Sequence, residues 1–91
     1  MIFWEEDALK DREKIFEFLY EFNPVAAERT DDIIQSRVGN LQDYPLMGVE
    51  RPGIPGRLLI IPDVSMIVSY WVDKTDIRVM RVLHQKQQFP G

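Results

Sequence analysis

The last third of the chain restricts the fold more than any other part. Residues 56–62, 66–72 and 77–84 are three apolar runs of strand length, rich in Val, Ile and Leu. Asp73-Lys74-Thr75-Asp76 separates the last two at hairpin distance. Neither of these two runs has a fully polar face. In one, Ile67, Ser69 and Trp71 alternate with Met66, Val68, Tyr70 and Val72; in the other, Ile77, Val79, Arg81 and Leu83 alternate with Arg78, Met80, Val82 and His84. One face of such a sheet must pack on a second layer. The other is expected to be partly apolar and open to a partner.

The second layer lies upstream. Ile2-Phe3-Trp4 reads as a short first strand, and Glu6 and Asp7 then suit a helix N-terminus, where carboxylates complement the dipole. Leu9, Arg12, Phe16, Leu19 and Phe22 fall at helical spacing, with Ile15 and Phe18 widening the stripe. Lys10, Asp11, Glu13, Lys14, Glu17 and Glu21 occupy the other side, a mainly acidic surface that solvent exposure of a helix explains. Asn23-Pro24 ends this helix and begins another, as N-cap and first helical residue. Ala27, Thr30, Ile34, Val38 and Leu41 form the stripe of the second helix, and Gly39-Asn40 can end or kink it. So short a link predicts an antiparallel helical hairpin. Residues 42–56 hold Tyr44-Pro45, Gly48, Pro52-Gly53 and Pro55-Gly56 and read as a loop. The order β-α-α-β-β-β predicts an α+β fold, an antiparallel sheet packed against the hairpin.

Size and charge bound the function. The 91 residues read as a single domain, 1–91. A chain this short buries only about 60–65% of its unfolded surface, so a partner can supply part of its stability. There is no cysteine and one histidine, which excludes a disulfide framework and a Cys/His metal site. Gly53 and Gly56 lack the strand–helix context and the lysine of a phosphate loop, and no cofactor is expected. The start of the chain turns acidic at once, unlike a signal peptide, and no apolar run approaches a membrane span; a cytoplasmic protein is expected. The net charge of −4 opposes nonspecific binding to nucleic acid. Acids crowd residues 1–32, whereas residues 77–91 carry Arg78, Arg81 and Lys86 and no acid, which leaves room for a locally basic end.

The short first strand, the helical hairpin, the link Asn23-Pro24-Val25-Ala26-Ala27-Glu28-Arg29, the turn Tyr44-Pro45-Leu46-Met47-Gly48 and the ending Arg81-Val82-Leu83-His84-Gln85-Lys86-Gln87-Gln88-Phe89-Pro90 together resemble the ParE/RelE toxin superfamily. The likeness covers essentially the whole chain and lies in the order and spacing of these elements. It implies the toxin of a bacterial type II toxin–antitoxin (plasmid stabilisation) module, neutralised by a cognate antitoxin. RelE-like members of that superfamily are ribosome-dependent mRNA endonucleases; ParE-like members poison DNA gyrase. This sequence departs from the RelE pattern, which places several Lys and Arg on the first two strands of the C-terminal sheet. Here those strands offer only Arg57, and Ile67 stands where that pattern has a catalytic Arg. The ending and the acidic charge resemble the ParE side, whose members act by binding rather than as enzymes.

Two roles are open to the polar cluster at the strand ends. In a binding protein, Arg81, His84, Lys86 and Phe89 would form the target-binding end. In a nuclease, His84 would be general acid or base, with Arg81, Arg57 and Lys86 stabilising the phosphate. His84 can equally serve as a strand-end residue hydrogen-bonded to nearby backbone, and Arg57 and Arg81 can pair with the acids of the first helix. Regular alternation puts Arg78 and Arg81 on opposite sheet faces. Trp4 and Trp71 are expected in the core or at its edge.

Overall fold

The computed structural model describes residues 1–86. Its elements run β1 (Ile2–Trp4), α1 (Glu6–Phe22), α2 (Pro24–Gly39), a 3₁₀ turn (Asn40–Gln42), β2 (Val49–Arg51), β3 (Ile54–Ile61), a second 3₁₀ turn (Pro62–Val64), β4 (Met66–Asp73) and β5 (Asp76–His84). The strands form one sheet in the order β1-β5-β4-β3-β2. The fold is the α+β arrangement expected, with two additions. β1 joins the sheet parallel to β5, pairing Ile2 with Ile77 and Trp4 with Val79. Val49–Arg51, inside the segment read as loop, pairs antiparallel with β3. Three residues between glycine- and proline-rich turns carry no periodicity to read, so only the pairing defines β2.

The helical hairpin forms for the local reasons its sequence gives. Asn23 Oδ1 accepts a hydrogen bond from the Ala26 amide at 3.2 Å, and Pro24 opens α2. Ala27, Ile34, Val38 and Leu41 are buried, as the stripe of the second helix predicts. α1 packs differently from expectation. It meets the core through Ala8 and Ile15, while Leu9, Phe18 and Phe22 are 48%, 63% and 74% exposed. The apolar arc of α1 is wider than one packing face can cover, and small Ala8 allows the closest approach. Both helices cover one sheet face, where Ala8, Ile34, Val38 and Leu41 cluster with Leu59, Ile61, Met66, Val68, Tyr70, Ile77, Val79 and Val82. No helix among the described residues is long and apolar enough to cross a membrane.

A β-bulge changes the faces of β5. Tyr70 pairs with Val79, but Ser69 pairs with Arg81, so the register shifts at Met80. Val82 and His84 thereby join Ile77 and Val79 on the helix side. Arg81 lies opposite Ser69 and Arg78 opposite Trp71, positions on one sheet face, which corrects the regular alternation of the sequence reading. Trp71 also departs from expectation: it is 46% exposed on the outer face, while Trp4 packs against the core edge. Gly56 explains its position. A Cβ there would come 2.3 Å from Trp71 Cδ1, so the indole lies across a glycine that sits at φ +75°. Phe3, Val49 and Ile60 are exposed as well, so apolar surface remains uncovered beyond the core.

Candidate functional site

The free edge of β5 begins where β1 ends. β1 pairs only as far as Val79, leaving the Val82 amide without a strand partner on that side. Asp11 of α1 takes its place: its Oδ2 accepts from the Val82 amide at 2.9 Å. The same carboxylate receives Arg81 Nε at 2.8 Å and Nη2 at 3.1 Å. Asp11 is only 11% exposed, and its hydrogen bonds hold the Arg81 guanidinium still more firmly in the charged form. The pairing of Arg81 with an acid of the first helix is thus what the structure shows for this residue.

Arg57 is held elsewhere. Its Nη1 donates to the carbonyls of Gly48 at 2.8 Å and Leu46 at 3.3 Å, and its Nη2 lies 3.2 Å from Glu50. Its partners are the loop before β2 and Glu50 of β2, not the acids of α1 as the sequence reading allowed. That loop is fixed from beneath by Tyr70, whose hydroxyl accepts from the Gly48 amide and donates to the Pro45 carbonyl, both at 2.8 Å. Gly48 has no alternative here, since a Cβ would stand 2.6 Å from the Tyr70 ring. Arg78 is shared between Glu5 at 3.1 Å and Asp73 at 3.7 Å, with its guanidinium over the Phe3 ring.

His84 ends β5 opposite Met66. Its Nδ1 accepts from the Lys86 amide at 3.2 Å, and the Gln85 amide donates to the Ser65 carbonyl at 2.8 Å, so the strand end is tied by backbone contacts. An accepting Nδ1 leaves the proton of the neutral ring on Nε2. The structure therefore brings His84 and Lys86 together as chain neighbours. It places Arg81 against α1 and Arg57 two strands away under the Tyr44–Gly48 loop. Phe89 lies outside the described residues.

His84 instead borders a groove of about 390 Å³ between the hairpin and the sheet, lined by Lys14, Ile15, Phe18, Leu19, Thr30, Val64, Met66 and His84. The bulge turns His84 toward it, and the exposed Phe18–Phe22 pair, with ring centroids 5.2 Å apart, extends it along α1. Apart from His84, none of these lining residues stood among the candidate site residues of the sequence; Ile15, Phe18, Leu19 and Thr30 were read there only as helix stripes. The signal present was the breadth of the apolar arc on α1, more aromatic surface than one buried stripe needs.

Comparison with known proteins gives a family and a shared fold. The family described as the ParE toxin of the type II toxin–antitoxin system, parDE, matches residues 2–89. A protein of Sinorhizobium fredii (strain NBRC 101917 / NGR234), named "Putative toxin Y4kP", is 32% identical over 89 residues, covering 96% of this chain and 90% of that protein. A solved structure titled "Chromosomal ParDE TA system from P. aeruginosa" superposes with a TM-score of 0.79 at 23% identity, over 91% of this chain and 92% of that one.

Proposed function

We propose that this chain, which belongs to the ParE toxin family of type II toxin–antitoxin systems, arrests growth by binding a protein target in the cytoplasm, with DNA gyrase as that target. Its antitoxin then seats an apolar, amphipathic segment in the groove of Phe18, Met66 and His84. The observation that carries the binding reading is the disposition of the cations. Arg81, Arg57 and Arg78 are each engaged with carboxylates on different elements. Phosphoryl transfer without a metal needs several cations converging on one phosphate as charge develops there. A binding mechanism needs exposed apolar surface instead, and this chain has it on α1, in the groove and on the outer sheet face.

The test compares two activities of the purified protein. Inhibition of gyrase supercoiling, with no cleavage of ribosome-bound mRNA, is the expected result. His84→Gln should leave toxicity largely intact. Phe18→Ser should weaken antitoxin binding by about tenfold, as loss of a buried aromatic anchor does. Cleavage of translated mRNA that disappears on changing His84 or Arg81 would establish the endonuclease reading in its place.

A further inference from the structure

A second groove lies on the solvent side of the helical hairpin, between α1 and α2. Its volume is about 450 Å³, and Leu9, Arg12, Glu13, Phe16, Glu17 and Asp31 line it. Leu9 is 48% exposed and Tyr20 51%, and Tyr20 stacks on Phe16 at 5.8 Å, so an apolar strip runs along this flank of α1. The cation in the groove is already engaged: Arg12 donates to both oxygens of Asp31 at 3.0 and 2.9 Å and lies 4.5 Å over the Trp4 ring. Among the described residues Glu13 and Glu17 join no ion pair, so the unmatched charge of the rim is negative.

Helix stability accounts for only part of that charge: Lys10 and Lys14 precede Glu13 and Glu17 at the favourable i, i+3 spacing, but among the described residues neither lysine pairs with them, and Lys10 pairs with Glu6. Glu13, Glu17 and Glu21 follow one another at i, i+4, a like-charge series that costs a helix rather than supporting it. Glu21 also stands in the last turn, where a negative charge opposes the dipole and no basic residue offsets it. Among the described residues the chain thus keeps unpaired carboxylates beside apolar side chains that lie exposed to water.

Resting on the reading that this toxin acts by binding protein, we infer that the groove is the target-docking surface, separate from the groove bordered by His84. Its occupant is a basic protein surface that inserts one apolar side chain between Leu9 and Phe16 and brings Lys or Arg to Glu13 and Glu17. Nucleic acid is disfavoured by the same carboxylates.

The experiment measures killing on induced expression and, in parallel, the affinity of each purified variant for the cognate antitoxin. Two double variants, Glu13→Lys/Glu17→Lys and Leu9→Ser/Tyr20→Ser, change exposed positions and are checked for folding by circular dichroism. Each should reduce killing by at least about tenfold, because a like charge facing a basic partner, or a lost apolar anchor, costs that much. Antitoxin affinity should stay within about threefold, the scale of a change at a site the antitoxin does not touch. Asp32→Lys makes one charge reversal on an α2 surface outside the groove and should leave killing unchanged. Unaltered killing by both double variants would overturn the assignment. So would parallel loss of antitoxin affinity, which would make this the antitoxin's surface, or equal loss from Asp32→Lys, which would reduce the effect to net charge. None of these outcomes depends on whether the target is gyrase, which the supercoiling assay decides separately.

Discussion

Tyr70→Phe removes one oxygen from a side chain that is fully buried and otherwise keeps its shape. The hydroxyl joins two groups 22 and 25 residues away, accepting from the Gly48 amide and donating to the Pro45 carbonyl. After the substitution the Gly48 N–H has no partner. It cannot turn toward water, because Arg57 independently holds the Gly48 and Leu46 carbonyls and keeps the loop in place. An orphaned buried donor costs about 1–3 kcal/mol. The Pro45 carbonyl is only partly buried and can recover a water, so it adds little. The expected loss is about 2 kcal/mol, a large share of the 5–15 kcal/mol typical of a domain. For a chain of this size that lowers the melting midpoint by about 10 °C. Urea unfolding should show a lower midpoint with an unchanged slope. A second signature appears at high pH. Burial raises the Tyr70 phenol above its ordinary 10.0, so the folded state keeps its proton longer than the unfolded chain does. The stability it contributes is full below pH 10 and declines as the pH rises through the folded value, a decline the variant should lack. A stability loss under about 0.5 kcal/mol would show that the Gly48 amide reaches solvent and would refute the clamp described here.

Asp11→Ala should cost about 2–3 kcal/mol in urea unfolding, because it strands both the Arg81 guanidinium and the Val82 amide; Asp11→Asn should cost less, since its amide oxygen can still accept from Val82. Asp31 is held below the ordinary carboxylate value of 3.8, chiefly by its hydrogen bonds from Arg12. Its contribution is present above about pH 3.8 and lost as the pH falls through the lower folded value, so Arg12→Gln should move the acid unfolding limb to higher pH in a melting series.

Much of this fold was legible locally. The second helix, its Asn23 cap, its buried stripe and the three long strands follow from residue types at periods of 3.6 and 2, which each segment carries by itself. The faces of β5 were not legible, because the bulge at Met80 exists only against β4 and reverses the side of every residue after it. Nor was the parallel place of β1, which its three residues acquire by pairing with a strand more than seventy positions away. The candidate site divides in the same way. The sequence supplied a histidine and a few cations near the chain end, together with an acidic first helix. Which carboxylate meets which arginine was decided by tertiary contact: Asp11 for Arg81, Glu50 and two loop carbonyls for Arg57. Local pattern determines which side chains a segment must bury. Only the assembled sheet determines which polar groups those buried faces bring within reach, since each such contact joins residues that the linear chain keeps apart.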